Sequence, residues 1–157
     1  MGNIFRFNGV ISKFDELVYF SKSTACPNFQ SCTSLAEVDF SNIISIGNQY
    51  LYGTSLTKAI FHEGFTTLGN MNFYQSKTIE LVEFPSTVMS IGEHCFSTVK
   101  DCVIVCRATS VPTLAKNNGG AKALYVPAAA IANYKSATNW SAYANKIYPI
   151  EGSEYEH

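Results

Sequence analysis

Charge is scarce in this sequence. Lys and Arg together number 11 and Asp and Glu 12, so charged residues make up 15% of the chain and the net charge is −1. So little positive surface displaces few counterions from a phosphate backbone, which argues against a nucleic-acid partner. No apolar run approaches the roughly 20 residues of a membrane-spanning helix, so membrane insertion is not expected. Histidine occurs only as His62, His94 and His157. The five cysteines, Cys26, Cys32, Cys95, Cys102 and Cys106, contain no C-x-x-C pair. Their odd number and loose spacing oppose a disulfide framework or a zinc finger and point to buried free thiols. The start MGNIFRFNGVISKFDELVYF lacks the charged head, apolar centre and small-residue cleavage site of a secretory signal. Met1-Gly2 opens a myristoylation pattern that Arg6 breaks. Gly119-Gly120 has no phosphate-loop context, and Asn139-Trp140-Ser141 is a glycosylation sequon in form only. With these absences no catalytic residue, metal site or cofactor is expected, and the chain reads as a non-enzyme.

What the sequence does have is a repeat. LAEVDFSNIISIGNQYLYGTS from Leu35, LTKAIFHEGFTTLGNMNFYQSKT from Leu56 and IELVEFPSTVMSIGEHCFSTVKD from Ile79 align, with leading residues 21 and then 23 positions apart. In register come Val38, Ala59 and Val82, then Phe40, Phe61 and Phe84. Ile46-Gly47, Leu68-Gly69 and Ile91-Gly92 follow, and then Leu51, Phe73 and Phe96. A degenerate earlier unit spans Leu17 to Ser34 with Leu17, Phe20 and Phe29, and a degenerate later one begins at CVIVC. Atypical terminal units are expected where a stack must be closed off.

The V-x-F alternation puts two apolar side chains on one face of a short strand. The glycine of the Ile-Gly step is expected to allow a tight bend or a positive φ. The following Leu or Phe plugs the interior from the opposite side. One such unit cannot bury its apolar face alone, so the units must stack, with strands about 4.8 Å apart. The fold class expected is a β-rich solenoid with a small α/β C-terminal cap.

The cap is read from KALYVPAAAIANYKSATNWSAYANKIYPI. Leu124, Tyr125 and Val126 form a last strand. Pro127 suits a first helical turn, and Ile131, Tyr134 and Lys135 fall at helical spacing. Asn139 or Ser141 caps a second short turn, Trp140 and Tyr143 pack, and Tyr148, Pro149 and Ile150 extend outward. The helical element is expected to shield the last apolar layer and the strand edge. AKNNGGA, from Ala115 to Ala121, reads as a flexible exposed loop. The expected division is residues 1–34 for a leading segment and degenerate repeat, 35–114 for the repeats, 115–150 for the cap and 151–157 for a frayed end.

These units resemble the leucine-rich repeats of the BspA-like family, whose pattern L-x-x-[IV]-x-[IF]-P-x-x-[VT]-x-x-I-G-x-x-[AC]-F is best matched from Ile79 to Asp101 through Phe84-Pro85, Val88, Ile91-Gly92 and Cys95-Phe96. CPNFQSCTSL is similar to the family's F-x-x-C-T-S-L junction, FDELVYF resembles its N-terminal segment, and the tail resembles the cap of Bacteroidales members. Ser41 and His62 stand where the family has proline. The resemblance covers roughly residues 14 to 150. It implies a non-catalytic adhesion or ligand-binding domain of a cell-surface protein, outside the cell if this chain is part of an exported one. The expected partner is a host or bacterial surface protein or a glycan, with homo-oligomers compatible. The alternative it implies is a structural or receptor-binding fibre protein of a phage virion.

Candidate ligand contacts are Tyr50, Tyr52 and Tyr74, tyrosines beside inward positions with Asn and Gln nearby. Glu80 and Glu83 flank inward positions and are expected to be solvated. His94 sits directly before Cys95, which suggests a dyad. In register, however, His94 matches Gln49 and Met71, and Cys95 matches Tyr50 and Asn72. The expectation is therefore a buried thiol beside an exposed imidazole.

Overall fold

The computed structural model describes residues 5–15 and 26–157. Its strands are short: β1 (Lys13–Phe14), β2 (Glu37–Val38), β3 (Ser45–Ile46), β4 (Lys58–Ile60), β5 (Thr67–Leu68), β6 (Leu81–Phe84), β7 (Ser90–Ile91), β8 (Val103–Cys106), β9 (Thr113–Leu114), β10 (Ala123–Val126) and β11 (Ile147–Pro149). They form a four-stranded sheet β3-β5-β7-β9, a five-stranded sheet β11-β10-β8-β6-β4 and the pair β1-β2. All the pairings among them are parallel. Parallel neighbours require a crossover, and here the crossover from one strand to its partner passes through the other sheet. Ser45, Thr67, Ser90 and Thr113 therefore fall opposite one another, as do Lys58, Leu81 and Val103. The repeat register read from the sequence is the pairing register. Of the degenerate first unit, Phe29 is fully buried, while Leu17 and Phe20 lie outside the described residues.

The core consists of columns of like residues. Phe40, Phe61 and Phe84 follow one another with ring centroids 4.9 and 5.5 Å apart. Phe73 and Phe96 stack at 5.8 Å, and Leu51 precedes them, all three at 0% exposure. Phe5, Phe14 and Phe29 close the end at β1.

The glycines of the Ile-Gly step have a different role from the one expected. Gly47, Gly69 and Gly92 do not adopt positive φ. A Cβ on Gly69 would lie 2.6 Å from the Gly47 carbonyl carbon, and one on Gly92 would lie 2.6 Å from that of Gly69. Glycine is needed because successive backbones touch there. The left-handed conformation falls two residues later, at Gln49, Met71, His94 and Asn117, with φ of 64, 58, 56 and 63°.

Just after that turn, a buried side chain stitches neighbouring coils. Asn72 accepts from the Leu51 N–H at 3.2 Å and donates to the Gly47 and Gly69 carbonyls at 2.9 and 2.8 Å. Asn118 accepts from the Phe96 N–H at 3.1 Å and donates to the Gly92 and Ala115 carbonyls, both at 2.8 Å. Removing such a side chain strands buried backbone groups. Asn72→Ala should therefore cost about 2–4 kcal/mol in urea unfolding. Asn72→Cys should cost less, because Cys95 occupies the same slot and its thiol reaches the Gly69 carbonyl at 3.1 Å.

Residues 115–121 are a packed turn of a further coil, in contrast to the flexible exposed loop expected. Asn118 is 3% and Ala121 0% exposed. The chain then forms β10, a 3-10 turn at Ala128–Ala130, α1 (Ile131–Ser136) and a 3-10 segment at Trp140–Lys146. Asn139 makes no capping bond and adopts φ 64°. Its amide instead donates to the Leu114 carbonyl at 2.7 Å, and the Trp140 indole donates to the Pro112 carbonyl at 2.7 Å. These two donors cover acceptors along the β9 edge, which would otherwise be open. Trp140 and Tyr143 are buried, as expected. Tyr148 and Pro149 do not extend outward; β11 pairs with β10, Tyr125 against Tyr148. Residues 151–157, expected to fray, fold back instead, with the Tyr155 ring 4.7 Å from that of Tyr125.

Candidate functional site

The turns that carry the left-handed residues place a strip of neutral polar and aromatic side chains along one border of the stack. Tyr52 and Tyr74 occupy the same slot in successive coils, so their rings stack at 5.8 Å and 22°. The His94 imidazole meets Tyr74 edge-on at 6.1 Å and 88°. Beside the rings runs a row of amides and a thioether. Gln30 donates to Gln49 at 3.3 Å, Gln49 lies 3.5 Å from the Met71 sulfur, and Asn117 is 3.2 Å from His94 Nε2. Tyr52, Tyr74 and His94 are all half-buried, leaving ring faces and edges at the surface.

Of the three tyrosines singled out from the sequence, the structure brings Tyr52 and Tyr74 together and separates Tyr50. Tyr50 folds over Gly47, where an added Cβ would meet its ring at 3.0 Å, and it packs against the core. His94 joins the strip in its place. The signal for this was the shared slot of Gln49, Met71 and His94, whose side chains project from equivalent turns.

No dyad forms between His94 and Cys95. The imidazole faces Asn117 and Tyr74, while the Cys95 thiol points inward to the Gly69 carbonyl. The imidazole is half-buried, where an exposed one was expected, because it lies against Tyr74. All five thiols are buried and free. Burial pushes Cys26, Cys95 and Cys102 from 9.0 up to about 12, so they stay protonated and poorly nucleophilic at neutral pH. In the unfolded chain they ionise near their ordinary value. Stability is thus fully present below pH 9 and falls as pH rises from 9 towards 12, by up to about 1.4 kcal/mol per pH unit per thiol. A urea midpoint that drops between pH 8.5 and pH 10.5, together with slow alkylation of the native protein, would show it.

Two further depressions flank the sheets. Between β2 and β4 the ladder is interrupted: Phe40 and Phe61 form an isolated bridge, and beside it opens a groove of about 640 Å³ lined by Lys13, Asp15, Glu37, Asp39, Lys58 and His62. Lys13 spans Asp15 at 3.6 Å and Glu37 at 3.4 Å. The hydrogen bond to Glu37, then the charge of Asp15, raises its pKa above the ordinary lysine value. His62, in the slot of the family's proline, is exposed in a turn whose Phe65 N–H bonds its carbonyl at 3.0 Å. The second depression adjoins Glu83. This residue is 7% exposed rather than solvated, because Arg107 pairs with it at 3.0 Å and residues 151–157 lie nearby. Glu80 is exposed, as expected. Among the described residues no three His, Cys, Asp or Glu side chains gather to hold a metal ion, and no helix is long and apolar enough to cross a membrane.

Stacked coils with glycine at the close approaches of Gly69 and Gly92, each followed three residues on by a buried Asn72 or Cys95, point to one repeat family. The profile described as BspA type leucine rich repeat region matches residues 21–114, in 6 copies. The chain belongs to the BspA-type leucine-rich repeat family. The match covers more than half of the sequence and includes all three units aligned from Leu35, Leu56 and Ile79. No curated protein matches the chain. A leucine-rich repeat protein of this family is of a protein-binding, generally non-catalytic type, built as parallel sheets that stack rather than close into a barrel.

Proposed function

We propose that this leucine-rich repeat chain is a non-catalytic adhesion module, a β-solenoid with residues 115–150 as its α/β cap, that binds a surface protein or glycan of a host or neighbouring cell. The observation that carries this reading is the strip formed by Tyr52, Tyr74 and His94 beside the amides of Gln30, Gln49 and Asn117. Aromatic faces supply apolar contact at low entropic cost, and amides supply adaptable hydrogen bonds. Such a neutral surface favours contact over long-range steering, in keeping with the low charge of the chain. The setting proposed is the cell surface. The same strip would serve on a phage fibre, a reading that rests on the family resemblance alone.

The test is a glycan array and a host-cell binding assay with wild-type protein, the Tyr52→Ala/Tyr74→Ala double variant and a Tyr50→Phe control. The double variant is expected to lose at least tenfold in affinity for whatever the wild type binds, with Tyr50→Phe unchanged. Binding that survives the double variant unaltered would remove the strip from consideration.

A further inference from the structure

Val105 is out of place. It lies on the outward side of β8, in register with Glu83 on β6 and Tyr125 on β10, and takes no part in the interior cluster that Ile104 and Cys106 join. Yet its exposure is 0%. Residues 151–157 lie against this face. Tyr155 sets its ring edge-on to Tyr125 at 4.7 Å. Arg107 reaches with one nitrogen to both the Glu83 carboxylate at 3.0 Å and the Tyr155 carbonyl at 3.1 Å. The segment is anchored at its base, where the Ala128 N–H donates to Glu151 at 2.8 Å. It pivots at Gly152, which has φ 79° and open space around it.

This is how a short peptide binds a sheet face: one aromatic side chain against an aromatic wall, and one main-chain carbonyl on a guanidinium. The remaining side chains of the segment are glycine, serine, glutamate and histidine, so Tyr155 supplies its one aromatic contact with the face. Beyond His157 a groove of about 380 Å³ continues along Ile60, His62, Glu63 and Pro85, room for a peptide longer than the one now seated.

We infer that the outward face of β6, β8 and β10 is a docking site for a peptide bearing an aromatic residue among acidic ones, and that residues 151–157 occupy it in cis as a displaceable strap. It is a surface distinct from the Tyr52–Tyr74 strip and stands independently of that reading.

The probe is a fluorescein-labelled peptide of sequence EGSEYEH, titrated into the wild-type chain and its Tyr155→Ala variant. The peptide should bind Tyr155→Ala at least tenfold more tightly than wild type, whose site is already filled. Adding Tyr125→Ala to that variant should abolish binding, and a peptide with alanine in place of tyrosine should not bind. A Tyr155→Ala chain that melts cooperatively but shows no saturable binding, or equal binding to both chains, would overturn the proposal. If Tyr155→Ala does not fold, amide exchange of residues 151–157 in the wild type with excess peptide decides the matter: acceleration supports displacement and no change refutes it. A wild-type dimer that disappears in Tyr155→Ala would instead assign the face to exchange of this segment between two copies.

Discussion

Phe84→Ala is expected to leave the protein largely unfolded or barely folded at 37 °C. Phe84 is 0% exposed and joins both sides of the stack. Its ring stacks on Phe61 at 5.5 Å, tilts towards Phe65 at 6.3 Å and meets Phe96 edge-on at 6.3 Å. Truncating such a phenylalanine removes transfer energy and leaves a cavity, together about 3–5 kcal/mol. The layers on either side are held apart by their own backbone ladders and cannot collapse into the void, which places the loss at the upper end of that range. A domain whose total stability is of order 5–15 kcal/mol loses a large share of it. Phe96→Ala should behave alike, because Phe96 bridges Phe73 at 5.8 Å and Phe84. Met89→Ala, at a side chain 68% exposed, should stay within about 0.5 kcal/mol. Urea unfolding of the three variants measures this directly, and near-wild-type midpoints for both phenylalanine variants would contradict the register.

The second large effect separates two adjacent glycines. A Cβ on Gly120 would collide with the Phe96 carbonyl oxygen and lie 2.7 Å from the Ser97 carbonyl group, all of it backbone of the preceding coil. A Cβ on Gly119 would meet only the Ala142 methyl at 3.6 Å, an ordinary contact. Gly120→Ala must push two coils apart, and overpacking of this kind costs about 1–3 kcal/mol or more. At a backbone-to-backbone contact, with no side chain to yield, the larger figure is expected. Gly119→Ala should change stability by no more than about 0.5 kcal/mol. In thermal melts the two variants should differ by many degrees. Equal melting temperatures would mean that residues 115–121 are the flexible loop their composition suggests.

These glycines also show which parts of the structure were legible in the sequence. The stack was, because each inward slot recurs: Val38, Ala59 and Val82 or Phe40, Phe61 and Phe84 repeat as apolar positions, and burial imposes that pattern on any sequence that folds this way. Asn117-Asn118 was less visible. Its coil has Ala115 where its sisters have glycine, so the Ile-Gly mark is lost, although Leu114 and Asn118 keep the spacing of Leu68 and Asn72. The role of Gly69 and Gly92 was misjudged because a close backbone approach and a positive φ select the same residue. Tyr155 could not have been grouped with Glu83 and Arg107, which lie about one repeat apart. It reaches Arg107 only after residues 151–157 fold back, and such a contact leaves no periodic trace. Tyr52 and Tyr74 come together because they share a slot, whereas Tyr50 occupies a neighbouring slot that points inward over Gly47.

The register of the stacked coils is tested most directly by cross-linking across the four-stranded sheet. Thr67 and Ser90 are paired residues of adjacent strands, with side-chain oxygens 3.4 Å apart, and Ser90 pairs in turn with Thr113. Thr67 and Thr113 are therefore two strand spacings apart, roughly 9.6 Å, beyond the approximately 7 Å that a disulfide spans. The native thiols, buried and held protonated, should not compete. Under mild oxidation Thr67→Cys/Ser90→Cys should form an intramolecular disulfide rapidly and Thr67→Cys/Thr113→Cys should not. Cross-linking of the second pair in preference to the first would contradict the stack.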